Sequence, residues 1–202
     1  MITFFIQKVK SYLFNSFESF QSNKEARKKK IIFSNCKAIG TNFNLGKDYH
    51  VHNPQYIEIG DNFIAGVRFR IEAWDSYYDQ KFSPKIKIGN NVIFNTDIHI
   101  GCIDKIEIGK NCLFGSRIYI TDHHHGGPTL EMLKIAPKDR PLSSKGPVII
   151  KDNVWVGEGV AIMPNVTIGE NSIIATNAVV TKDVPANCVV AGVPAKVINI
   201  IK

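Results

Sequence analysis

The chain has 202 residues, 44% of them hydrophobic and 21% charged, with a net charge of +7; this is enough for one substantial core in a globular chain and not for two. No apolar run approaches the ~20 residues that cross a bilayer, and the N-terminal apolar residues are broken by Gln7, Lys8 and Lys10 without a small-residue cleavage site, unlike a signal peptide. The four cysteines (Cys36, Cys102, Cys112 and Cys188) have no CxxC spacing, which argues against a zinc ribbon or redox motif and suits a reducing, cytoplasmic compartment.

Residues 1–33 carry seven basic side chains against Glu18 and Glu25, so most of the positive charge sits there. The remainder of the chain is close to neutral, which excludes a nucleic-acid-binding body. Within this segment Ile2, Phe5, Ile6, Val9, Tyr12, Leu13, Phe14, Phe17 and Phe20 recur at spacings of three and four. That period predicts an amphipathic helix, followed by a basic linker that includes Lys28, Lys29 and Lys30. Two uses fit residues 1–30: packing on the main domain, or a peripheral contact with the inner membrane face.

From Ile39 a period of six takes over. Apolar residues open eighteen hexads, among them Ile39, Leu45 and Val51 in the first three and Ile168, Ile174 and Val180 in the last three. Eleven of the eighteen carry Asn or Asp three positions later, such as Asn42, Asn62, Asn91, Asn111, Asn153 and Asn171. Those residues tolerate the positive φ of a tight corner. Three short strands and three corners make one turn of a prism, so eighteen hexads give about six triangular coils of a β-solenoid over residues 34–185.

Two stretches interrupt the array, residues 72–85 with Trp74, Tyr77, Tyr78 and Phe82, and residues 121–147 with His123, His124 and His125. Both follow the third hexad of a coil, so both loops should project from one corner, the place where repeat proteins commonly bind ligands. At that corner the inward register four places after the hexad start carries Gln55, Asp75, Asp104 and His124. After Pro185 the chain leaves the repeat, and residues 186–202 read as a closing strand and tail.

The hexads, together with Val180-Thr181-Lys182-Asp183-Val184-Pro185 and Ala191-Gly192-Val193-Pro194-Ala195-Lys196, resemble the hexapeptide-repeat acyltransferases. The sugar and polysaccharide O-acetyltransferase branch, which includes the galactoside and maltose acetyltransferases, is the most similar. The resemblance covers roughly residues 36–198. It implies an all-β fold, a left-handed parallel β-helix, although periodicity alone gives only a solenoid. It also implies acetyl-CoA as co-substrate with no required metal, and a homotrimer with active sites between subunits. By the same resemblance His123 matches the catalytic histidine. Asn95 and Asp104 match acceptor-side positions, and Trp155, Thr176, Thr181, Lys182 and Lys196 match positions lining CoA. Residues 72–85 have no counterpart in the pattern.

The chemistry of the third corner agrees. His123 stands three places after Ile120, where other hexads carry Asn or Asp, and is expected to occupy a left-handed corner and project outward. A sugar hydroxyl needs a base near neutral pH to attack a thioester, and an imidazole meets that need. Asp122 or a backbone carbonyl would fix the ring's tautomer, corner N–H groups would serve the oxyanion, and His125 would begin the loop facing the acceptor. Adjacent histidines also raise a metal site, but His123 and His125 would need further ligands and only His99 lies near in the repeat. The competing readings are acetylation of a xenobiotic such as an antibiotic, or of an amino sugar amine, and, from a different class, a non-catalytic solenoid scaffold.

Overall fold

In the computed structural model, which describes residues 2–202, the chain divides into residues 1–35 and residues 36–202. The first unit is one α-helix, α1 (Ile2–Ser34). It continues straight through Lys28, Lys29 and Lys30, so the expected linker is helical; nothing in that run breaks a helix, since lysine and arginine are good helix formers. Tyr12, Leu13, Phe14, Phe17 and Phe20 are all at least 60% exposed. The side chains of Ile2, Phe5, Ile6 and Val9, which complete the expected apolar stripe, lie outside the described residues.

The second unit is a three-sided parallel β-helix. Its first face stacks Ala38–Ile39, Ile57–Ile59, Lys85–Ile88, Lys105–Ile108, Val148–Ile150 and Val166–Ile168. The second face begins with Asn44–Leu45 and the third with His50–His52. Each of these three faces is built from strands paired in parallel with the coil above and below. Strand Cys188–Ala191 extends the second face in parallel with Ile173–Ile174, and Lys196–Ile200 then closes it antiparallel.

The hexad pattern works because the residue that opens a hexad points inward and its strand neighbours point out. Ile71, Ile100, Phe114, Ile120, Ile162 and Ile174 are 0% exposed, whereas Ile93 and Leu113, one place before a hexad start, are 38% and 43% exposed. A column of phenylalanines fills one end, with Phe94 and Phe114 stacked at 4.3 Å between ring centroids and Phe63 and Phe69 edge-on at 5.6 Å. Burying each such side chain contributes about 1.5–3 kcal/mol.

Between the first and second faces the corner residues form a ladder. Asn42, Asn62, Asn91, Asn111, Asn153, Asn171 and Asn187 all have φ between 55° and 58°. Each amide from Asn42 onward donates to the next asparagine at 2.8–3.1 Å. Asn111 both accepts from Asn91 at 2.9 Å and donates to Asn153 at 3.1 Å. Asn111→Ala therefore loses two rungs and places a Cβ-bearing residue without a local hydrogen bond at positive φ. The expected cost is about 2 kcal/mol, read as a lower urea midpoint; an unchanged midpoint would show that the ladder carries no stability.

The second corner is different in kind. Arg68 and Arg117 hold φ of 58° and 57° there. Arg68 Nη2 reaches Asp97 Oδ2 at 2.7 Å and Arg117 Nη2 reaches Glu158 Oε1 at 2.7 Å. The third corner, between the third and first faces, is the one from which the insertions project.

Candidate active site

At the third corner the left-handed turn is abandoned in three consecutive coils. Trp74, Ile103 and His123 occupy the turn position, and none has positive φ. Strands Phe69–Ala73 and Ile98–Cys102 instead run on past the corner and pair with each other through Cys102 and Ala73. This extension shifts the inward register to two places after the hexad start. Ala73, Cys102 and Asp122 are all 0% exposed. The expectation that Gln55, Asp75, Asp104 and His124 point inward is thereby corrected: Gln55 and Asp104 are exposed, and Asp75 and His124 are half-buried.

His123 is corrected in the same way. It opens a short strand, His123–His125, paired antiparallel with Leu142–Ser144, and so sits on extended backbone held by the projecting loop. Residues 121–147 thus contain their own two-stranded piece. The other insertion starts later than residue 72, because Glu72 and Ala73 belong to the third face. Its hairpin, Ser76–Tyr77 with Gln80–Lys81, is bound to the histidine loop. Gln80 exchanges two hydrogen bonds with the Leu142 backbone at 3.0 and 2.7 Å. Tyr77 donates to the Lys138 carbonyl and packs edge-on against His125, with ring centroids 5.4 Å apart. Within the chain Tyr77 and Tyr78 brace the histidine loop.

The register shift buries the Asp122 carboxylate directly behind His123. Asp122 Oδ1 lies 2.9 Å from His123 Nδ1. The same carboxylate accepts from the Ile103 N–H at 3.0 and 3.2 Å, the Asp104 N–H at 2.8 Å and the Cys102 thiol at 3.2 Å. A buried carboxylate is costly unless paired and hydrogen-bonded, and the corner of the preceding coil supplies those donors. Burial alone would raise its pKa, but the bonds from His123, the two backbone N–H groups and the thiol outweigh it, so the Asp122 pKa is lowered. The carboxylate therefore accepts at Nδ1, and Nε2 of His123 is left as the basic nitrogen. Thr121, 1% exposed, also packs its hydroxyl 3.3 Å from the His123 N–H. The His123 side chain is 14% exposed.

His123 lines a cleft of about 440 Å³ together with residues of three coils, including Glu72, Trp74, His99, Gly101, His124 and His125. Burial chiefly, with Lys145 and His123, lowers the His124 pKa. Glu72 is the surprise of this wall. Its side chain is 4% exposed and meets Arg70 Nη2 at 2.8 Å, His99 Nε2 at 3.2 Å and His50 Nε2 at 3.2 Å. Burial pushes its pKa up, yet the bonds from His99 and Arg70 win and bring it from 4.5 down to about 2. A carboxylate depressed on folding stabilises the protein fully above its unfolded pKa and loses that contribution as pH falls through the folded value. Glu72→Gln should lower the melting temperature at pH 7, and the gap from wild type should close between pH 4.5 and 2. Parallel melting curves across that range check this, and a constant gap would contradict it.

The other expected site residues are placed as follows. His125 lines the cleft. Asn95 is exposed beyond the second-face strand Ile93–Phe94 and is not beside His123 within the chain. The Asp104 side chain is exposed, and it is the Asp104 backbone N–H that reaches the site. Trp155, 52% exposed, stands on the second face, while Thr176, Thr181, Lys182 and Lys196 are exposed in the last coils and the closing strand. None of these five lines the cleft beside His123. Among the described residues no group of three or more His, Cys, Asp or Glu side chains is arranged to hold a metal. Sequence reasoning missed Glu72 and weighed His99 only as a metal ligand; both sit one place from a hexad start, where polar residues face outward.

Comparison with known proteins now separates an enzyme from a scaffold. A family model, bacterial transferase hexapeptide (six repeats), matches residues 147–182. A lipopolysaccharide-biosynthesis O-acetyl transferase of Escherichia coli K12, a provisional assignment, is 33% identical over 174 residues, 84% of this chain and 82% of that protein. The chain belongs to the hexapeptide-repeat acyltransferase family. The β-helix of this acyltransferase is accordingly left-handed. The galactoside O-acetyltransferase of the same E. coli strain is 35% identical over 159 residues, 77% of the acyltransferase and 62% of that protein. A maltose O-acetyltransferase from Clostridium difficile 630 superposes with a TM-score of 0.56 at 28% identity, covering 86% and 74% of the two chains. AntD, an N-acyltransferase from Bacillus cereus solved with dTDP-4-amino-4,6-dideoxyglucose and coenzyme A, superposes at 0.69 with 22% identity over 88% and 89%, a likeness of fold alone.

Proposed function

We propose that this acyltransferase moves an acetyl group from acetyl-CoA to a hydroxyl of a sugar or nascent saccharide, by direct attack in a ternary complex. The observation that carries the reading is the Asp122–His123 pair, engaged through Nδ1, at the wall of the cleft. The acceptor O–H gives its proton to Nε2 as its oxygen bonds to the thioester carbonyl carbon. The tetrahedral intermediate then collapses, the C–S bond breaks, and the imidazolium returns the proton to the departing CoA sulfur. Asp122 stays ionised throughout and stabilises the imidazolium. No serine or cysteine is needed as an acyl carrier; Cys102 is fully buried, and burial, with Asp122 beside it, raises its pKa.

Acetyl-CoA binds along the last coils in this reading, with Trp155 against the cofactor, Thr176 and Thr181 as polar contacts, and Lys182 and Lys196 as charges for its phosphates. Their dispersal over exposed surface suits a site completed by a neighbouring copy in a homotrimer. A lipid-linked acceptor at the inner membrane face would suit the basic, apolar surface of α1. Among the described residues no helix is long and apolar enough to cross a membrane. The test is thiol release from acetyl-CoA with a panel of saccharides and amino sugars, the acetylated product located by mass spectrometry. A wild-type rate no greater than that of His123→Ala across the panel ends this reading.

A further inference from the structure

Helix α1 carries an apolar surface that the transfer chemistry does not use. Along it Leu13, Phe17, Phe20, Lys24, Arg27 and Ile31 follow one another by alternating steps of four and three. At 3.6 residues per turn that progression stays on one side of the helix. One face is therefore apolar in its first half and turns cationic where Lys24 and Arg27 replace apolar residues. Lys30, three places after Arg27, stands at its edge. Leu13, Phe17, Phe20 and Ile31 are 60–65% exposed, and Lys24, Arg27 and Lys30 are exposed as well.

The apolar half is broader than a helix–helix seam. Tyr12 and Phe14 flank Leu13 on its two sides, also exposed, whereas a coiled-coil seam needs only two apolar positions in each heptad. Charge points the same way. Residues 24–30 hold Lys24, Arg27, Lys28, Lys29 and Lys30 against Glu25 alone. Parallel helices from neighbouring copies would set Lys24 and Arg27 against their own equivalents, where like charges repel. An anionic surface removes that repulsion and also accepts the aromatic half, since aromatic rings suit the boundary between lipid headgroups and acyl chains. Because the apolar and basic stretches share one face, the helix lies in the plane of such a surface. At 1.5 Å per residue the contact from Leu13 to Ile31 is about 27 Å long.

We propose that α1 is a docking helix for an anionic phospholipid membrane, with Leu13, Phe17 and Phe20 in the acyl boundary and Lys24, Arg27 and Lys30 against the headgroup phosphates. The partner is the bilayer itself, whichever acceptor the enzyme takes. Apolar burial and charge attraction act together, so the attachment is reversible and weakens with salt.

The experiment sediments the full-length protein with large unilamellar vesicles of phosphatidylcholine containing about 30% phosphatidylglycerol, and with vesicles of phosphatidylcholine alone. Partitioning onto the anionic vesicles should be about 10²-fold stronger and should fall as salt is added. The triple variant Lys24→Gln, Arg27→Gln, Lys30→Gln should lose about 10²-fold on the anionic vesicles, roughly fivefold per charge. Phe17→Ser with Phe20→Ser should lose about 10²-fold or more. Both variants should keep the wild-type melting transition, because every substituted side chain is exposed. Binding to neither vesicle, equal binding to both, or wild-type binding by either variant overturns the proposal. If the protein binds no vesicle and the Phe17→Ser, Phe20→Ser variant forms a smaller assembly in solution, the face belongs to a second copy instead. Vesicle binding is read without acetyl-CoA or acceptor, so its failure leaves the Asp122–His123 reading in place, and a failure of acetyl transfer leaves docking in place.

Discussion

Replacing His123 by alanine should lower kcat for saccharide acetylation by about 10³-fold, within the range that a lost general base costs, with the KM for acetyl-CoA unchanged. The fold should survive, because Asp122 keeps the Ile103 and Asp104 N–H groups and the Cys102 thiol after the imidazole is gone. His123→Gln separates basicity from shape. Its amide can still donate to Asp122, yet it cannot take a proton from a hydroxyl, so it should be as slow as His123→Ala. Steady-state kinetics on the three proteins, with melting curves to verify folding, read the result. A glutamine variant within tenfold of wild type would mean that His123 orients the acceptor without acting as its base.

The repeat made much of this architecture legible. Ile39, Leu45 and Val51 open one coil in sequence as they do in the structure, and Asn42 or Asn62 marks a corner because few other residues tolerate φ near 55°. The corner that carries the candidate site was legible from where residues 72–85 and 121–147 interrupt the period. What lay hidden was the geometry at that corner. The six-residue rule places an outward turn at His123 and an inward residue at His124. The strands there run on instead, and the inward place passes to Ala73, Cys102 and Asp122. A sequence period records the average coil and cannot report a local change of register. Glu72 was hidden for a related reason. An acidic residue next to a hexad start reads as solvated, and its burial depends on His50, Arg70 and His99 from three successive coils, whose convergence only the stacking determines. The helix end was misjudged because Lys28, Lys29 and Lys30 were read for charge, while their backbone preference is helical.

Asp122 should matter to catalysis as much as the histidine it holds. In Asp122→Asn the side-chain oxygen can still accept from the Ile103 and Asp104 N–H groups, since these lie 2.8–3.2 Å from the carboxylate. The amide nitrogen is then turned toward His123 Nδ1. An amide N–H there demands an acceptor, so the imidazole must carry its proton on Nε2, the nitrogen that has to act as the base. The lone pair that should receive the acceptor's proton is then on the wrong side of the ring. The loss expected from a wrong tautomer is about 10⁴-fold in kcat, at a stability cost of about 1–3 kcal/mol. Asp122→Ala is the structural counterpart. It leaves two backbone N–H groups and a thiol without their acceptor in a fully buried place, and should cost more stability than the asparagine. Nitrogen-15 shifts of His123 distinguish the tautomers directly, with the Nδ1–H form expected in wild type and the Nε2–H form in Asp122→Asn. An asparagine variant that keeps the Nδ1–H form yet loses activity would move the role of Asp122 from tautomer to charge. One that keeps wild-type kcat would remove Asp122 from the mechanism.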